Sequence, residues 1–147
     1  MDSDVAVALE LSDEQRWVLR CGLREWGGSA RCTDTLAAAM GFGSVADLFG
    51  EADRIVTELV GDQPIDGQDW QRTTTVTLVA RDWWRTMMAT EFVFASATVG
   101  VGLDWPITAG ISDARTIEVL RELQRKMFRH GEIVRFRRAA LNSAGID

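Results

Sequence analysis

A chain of 147 residues fits one domain and is long enough to bury a core without covalent staples. Its 46% hydrophobic and 26% charged residues exclude wholesale disorder, and a net charge of −6 works against approach to a polyanion. Two separated cysteines, Cys21 and Cys32, and a lone histidine, His130, exclude a disulfide framework, paired-cysteine zinc sites and two-histidine metal helices.

The predicted class is all-α, a single-domain bundle of five to six helices. Residues 1–11 and 144–147 read as frayed ends. Ser12-Asp13-Glu14-Gln15 forms a capping box, because Gln15 stands three residues after Ser12 and can bond back to it. It opens a helix over 13–26, which stops at Gly27-Gly28. Thr33 caps a short helix over 34–40, with Gly41 as its stop. Ser44 opens the clearest element, 45–60, where Val45, Leu48, Phe49, Ala52, Ile55, Val56 and Leu59 follow a 3.6-residue period.

The segment 70–99 carries a conflict. Thr73-Thr74-Thr75-Val76-Thr77-Leu78-Val79 is β-branched and alternating, the pattern of a strand. With no evident second strand to satisfy its backbone groups, it is assigned to a long helix, kinked near Arg81. A glycine-containing loop follows, then helices over 113–129, with Ser112-Asp113 as cap, and 132–143. No internal repeat is visible. The longest uncharged run, Phe92–Leu103, has twelve residues, short of the ~20 a membrane span needs. With no basic leader at the front, the expected location is cytoplasmic.

Glu91 is the first candidate site. On a helical wheel it falls near Trp84, Met87, Phe94 and Ala95, away from Arg81 and Arg85. A carboxylate among such neighbours serves as an acid–base group, as a clamp for a cationic ligand, or as a structural glutamate with a hydrogen-bonding partner. This placement holds only if the threonine-rich middle is helical. The six tryptophans, 17, 26, 70, 83, 84 and 105, divide between core and contact. Trp17, Trp70 and Trp84 are assigned to the core, although Trp84 also neighbours Glu91, and Trp83 or Trp105 is left as a contact anchor. Asp104-Trp105-Pro106 reads either as a loop closing over a ligand or as a tight interhelical turn. No metal and no cofactor is expected: Pro64 and Thr73 spoil a calcium loop begun at Asp62, and Gly100-Val101-Gly102 lacks the rest of a phosphate loop.

Thr33–Phe49 resembles a helix-turn-helix in outline, with Ala37, Gly41 and a second amphipathic helix in order. That second helix carries Asp47, Glu51, Asp53 and Glu58 against Arg54 alone, a poor complement to DNA. Charge is unevenly spread: residues 1–70 hold fourteen acids and five bases, and residues 113–147 hold five acids and eight bases. Any phosphate contact therefore falls to the tail, Arg125, Lys126, Arg129, Arg135, Arg137 and Arg138. The fifteen arginines against one lysine also reflect GC-rich bacterial coding, which discounts the signal. Three function classes follow. The leading one is a non-catalytic protein acting through protein–protein interaction or self-association: an adaptor, an inhibitor or immunity-type antagonist, or a regulatory oligomer. The others are a nucleic-acid-binding regulator and a small-molecule pocket or enzyme centred on Glu91, roofed by the Asp104–Pro106 loop.

Overall fold

Two stretches in which every second side chain is apolar find each other across most of the chain. Val7, Leu9 and Leu11 alternate with Ala6, Ala8 and Glu10, and Val76 and Leu78 alternate with Thr73, Thr75 and Thr77. They form β1 (Ala6–Ser12) and β2 (Thr73–Val79), one antiparallel pair. The apolar set of both strands is buried and the other set faces outward, the ordinary result of a two-residue side-chain period. This is a computed structural model, and it describes residues 5–28, 30–143 and 145.

The fold is mostly helical: seven α-helices accompany the sheet among the described residues. They are α1 (Asp13–Arg24), α2 (Asp34–Ala39), α3 (Val45–Val60), α4 (Ala80–Ala95), α5 (Trp105–Ala109), α6 (Asp113–Met127) and α7 (Gly131–Ser143). The all-α expectation is thus corrected at two places. Residues 73–79 are the strand their composition favours, and the partner thought to be missing lies in the segment expected to fray. Residues 1–4, 144, 146 and 147 lie outside the described residues. No described helix is long and apolar enough to cross a membrane.

Each strand runs directly into a helix, β1 into α1 and β2 into α4. Ala6 faces Val79 and Ser12 faces Thr73, which puts Leu9–Val76 at the centre of the pair. The two strand–helix units are related by a local two-fold through that centre. The first N–H of α1, on Asp13, donates to the Arg72 carbonyl, and the first N–H of α4, on Ala80, donates to the Val5 carbonyl. These bonds are images of one another, and each satisfies a helix N–H that has no partner within its own helix. Trp17 and Trp84 hold the same place in their helices. The sequences share almost nothing else, so no repeat is visible in them.

Ser12 makes the expected capping box with Gln15. Ser44 and Ser112 cap α3 and α6 through their hydroxyls. Helix α1 is buried on nearly every side and packs on α4, α3 and α6. Its approach to α4 is closest at Gly22, where a Cβ would stand 2.6 Å from the Thr90 Cα.

Buried charge locks the sheet end to α3. Asp13 and Arg16 are both fully enclosed and bond at 2.8 Å, and Arg72 reaches the same carboxylate at 2.8 Å. Burial alone pushes the Asp13 pKa up, but Arg16 and Arg72 together outweigh it, and the group ends below its ordinary value. Arg16 Nη1 also donates to the carbonyls of Leu59, Val60 and Gln63. A guanidinium thereby terminates α3, where four carbonyls would otherwise lack partners and cations are favoured.

Two stability predictions follow from this packing. Gly22→Ala forces α1 and α4 apart and costs about 1–3 kcal/mol, read as a lower urea midpoint with an unchanged slope. Arg16→Met leaves the buried Asp13 carboxylate with Arg72 as its one cation and removes three donors to carbonyls at the end of α3, at a cost of about 3–5 kcal/mol. A loss below ~1 kcal/mol in the same titration would remove Arg16 from this role.

Candidate functional site

The threonine-rich middle is a strand, so the condition attached to the Glu91 wheel fails; α4 nonetheless begins at Ala80, and Trp84, Met87 and Glu91 keep their helical spacing within it. Thr86 and Thr90 are buried, and Thr90 lies at the Gly22 crossing with α1. Trp84, Met87, Met88 and Glu91 occupy successive i, i+3 and i, i+4 positions on another face. Opposite them stand Gln124 and Phe128, at the end of α6, and Arg137 and Leu141, on α7. These eight residues line a hollow of about 320 Å³ that is open to solvent on one side.

The Glu91 carboxylate is half-buried. Its hydrogen bond within the protein is accepted from Gln124 Nε2 at 3.3 Å. Gln124 is itself oriented, because Arg121 donates to its Oε1 at 2.9 Å and so turns the amide N–H₂ toward Glu91. Burial raises the Glu91 pKa above the ordinary glutamate range, against the opposing pull of Gln124 and the more distant Arg121 charge. No ion pair reaches this carboxylate among the described residues. At the mouth, the Arg137 guanidinium lies over the Phe128 ring, 5.7 Å from its centroid. The Trp84 ring meets Phe136 edge-on with 5.7 Å between centroids.

The wheel correctly groups Trp84 and Met87 with Glu91. Phe94 and Ala95 lie elsewhere, beside a separate depression of about 200 Å³ shared with Ala97, Gly102, Leu103 and Asp113. Gln124, Phe128 and Leu141 were missed as site residues. The i, i+4 spacing of Gln124 to Phe128 and of Arg137 to Leu141 is a weak signal for two facing walls. It has no meaning until the helices are docked.

The Asp104–Pro106 segment does not roof the hollow, whose walls come from α4, α6 and the α7 region. It is a 3-10 turn leading into α5. Trp105 is fully buried, its indole N–H donating to Thr116 Oγ1 at 2.8 Å and its ring meeting Phe94 edge-on. Trp83 is likewise enclosed and donates to the Val7 carbonyl at 2.8 Å. Neither ring offers a surface to a partner, which corrects the expectation that one of Trp83 or Trp105 is a contact anchor. Asp104 is exposed.

The basic tail does not form one patch. Arg125, Lys126 and Arg129 border a polar groove with Gln15, Gln71 and Glu122, where Lys126 Nζ donates to the Glu10 carbonyl and to Gln15 Oε1. Arg135 lies 3.2 Å from Glu132, and Arg137 and Arg138 are both exposed, Arg137 at the rim of the Glu91 hollow. In the helix-turn-helix outline, α3 spends its one cation on acids, since Arg54 binds Glu51, Glu58 and Asp82. Among the described residues no group of three or more His, Cys, Asp or Glu side chains could hold a metal ion. No family model matches the chain, and no curated protein or solved structure matches it.

A carboxyl whose pKa is higher in the folded than in the unfolded state costs stability as pH rises through the interval between the two values. Glu91→Gln removes that cost and keeps the residue's size. The variant should match the parent in Tm near pH 4 and exceed it by a few degrees at pH 7. Thermal melts across that range check it, and a lower Tm at pH 7 would show Glu91 to be a stabilising group.

Proposed function

We propose that the protein is a non-catalytic cytoplasmic module that acts by binding another protein, with the α5 end as its contact surface. One observation carries this reading. Leu103 and Ile107, one helical turn apart, expose 85% and 86% of their surface. Single exposed apolar residues are ordinary, but contiguous apolar surface marks a contact. Here Leu103 also borders the depression walled by Phe94, Ala95 and Ala97.

The element that presents them is held firmly. Trp105, between the two, is clamped by Thr116 and Phe94. Pro106 starts α5, and Gly110 ends it at φ +73°, a left-handed cap that costs glycine little. Rigid presentation lowers the entropy lost on docking. Asp104, between the two in sequence, and Asp113, which borders the same depression as Leu103, are exposed, which matches a partner with an apolar cleft and basic groups beside it. Two unpaired cysteines, Cys21 and Cys32, support a reducing compartment. A nucleic-acid role has less support, because α3 directs Asp47, Asp53 and Glu58 outward and the tail arginines are dispersed.

Substituting both side chains, Leu103→Asp and Ile107→Asp, should leave stability within about 0.5 kcal/mol of the parent, as exposed positions do. A photo-crosslinking residue at position 107, in cells of the source organism, should yield a discrete adduct that Leu103→Asp abolishes. An adduct of twice the chain's mass assigns the surface to self-association. Absence of any adduct from positions 103 and 107 would refute the reading.

A further inference from the structure

The hollow at Glu91 is bordered by two charges without ionic partners among the described residues, the half-buried Glu91 carboxylate and, at the rim, the exposed Arg137 guanidinium. The other enclosed carboxylates are treated differently. Asp13 meets Arg16 and Arg72, Glu14 meets Arg115, and Asp82 meets Arg54 and Arg85. Glu91 has one long hydrogen bond from a neutral amide, although an ionised carboxylate offers about four acceptor positions. At the other end of the hollow, Arg137 rests on the Phe128 ring and pairs with no acid among the described residues. Between the two charges the walls are apolar and polarisable: Trp84, Met87, Met88 and Leu141.

Gln124 marks the Glu91 end and Phe128 the Arg137 end, one helical turn apart, which is about 6 Å along the axis. The volume of about 320 Å³ stands at the lower end of the range for ligand sites, about 300–1,000 Å³. Thioether and aromatic walls suit a flat or flexible apolar body.

We propose that this hollow is a binding site for a small zwitterion with an apolar body, an α-amino acid bearing an aromatic or long aliphatic side chain. Glu91, held in orientation by Gln124, accepts hydrogen bonds from the ammonium group. Arg137 receives the carboxylate. The side chain lies against Met87, Met88 and Trp84. This site is independent of the α5 surface, so either assignment stands or falls alone.

Titration calorimetry and ligand-observed NMR on the full chain test it, with L-phenylalanine, L-leucine, L-methionine and L-tryptophan as probes. Phenethylamine and 3-phenylpropionate serve as single-charge controls. At least one amino acid should bind saturably, and it should bind at least tenfold more tightly than either control. Glu91→Gln and Arg137→Gln should each weaken that amino acid tenfold or more, while Arg138→Gln, on the same helix and exposed, leaves it unchanged. A thermal melt of each variant confirms that it is folded before the comparison is made. No saturable binding of any of the four amino acids at millimolar concentration overturns the proposal. So does an amine control that binds as tightly as the amino acid, or binding that is indifferent to Glu91→Gln.

Discussion

The pairing of β1 with β2 is the constraint from which the rest of the architecture follows. Two strands alone are marginal in water, and here each is extended without a break into a helix that packs on the other. The ladder continues past the strands, with Asp13 N–H on the Arg72 carbonyl and Ala80 N–H on the Val5 carbonyl. The register of the sheet therefore sets where α1 and α4 begin, and with it their height and rotation against each other. Gly22 then meets Thr90. Once that face of α4 is committed to α1, the stripe Trp84–Met88–Glu91 turns toward α6 and α7. A slip of one residue in the sheet would exchange its two faces and take Glu91 away from its hollow.

Charge is buried in this fold with consistent compensation. Asp82 and Arg85 are nearly inaccessible, and they connect through Glu51 and Arg54 into a network joining α3 to α4. Arg54, against the effect of burial and with help from Arg85, holds the Glu51 carboxyl down to about 2. Such networks contribute modest net stability, since desolvation consumes most of the Coulombic gain, but they penalise any packing that separates the partners. Glu91 departs from this pattern. It carries the desolvation cost and lacks the counter-ion, the condition under which a carboxylate serves a ligand better than it serves the fold.

Much of the helical part was legible because its signals are local. A serine followed by glutamine three residues on is a capping box wherever it sits, and Ser12, Ser44 and Ser112 all cap as their sequences require. The apolar stripe of α3 is its buried face at Leu48, Ala52, Ile55, Val56 and Leu59, whereas Phe49 is exposed. The strand at Thr73–Val79 is legible as well, but its partner is not: Val7, Leu9 and Leu11 alternate over too short a run beside acidic residues to be told from a frayed end. Trp105 is ambiguous in the sequence. Glycine and proline around it allow either a loop over a ligand or a tight interhelical turn; its indole is buried against Thr116, as the turn requires, and the exposed apolar side chains are its neighbours.

What the amino-acid order settled alone was whatever depends on residues within a turn or two of one another: caps, helix periods, and the grouping of Trp84 and Met87 with Glu91. Tertiary structure decided everything that needs two distant segments. It supplied the sheet between residues near each end of a 67-residue interval, the burial of Trp83 and Trp105, and the arrival of Gln124, Phe128, Arg137 and Leu141 across from Glu91. The reason is the range of the forces. Backbone geometry and periodicity act along the chain, whereas strand pairing and the meeting of helix faces are chosen by the burial of all the apolar surface at once, which no local window contains.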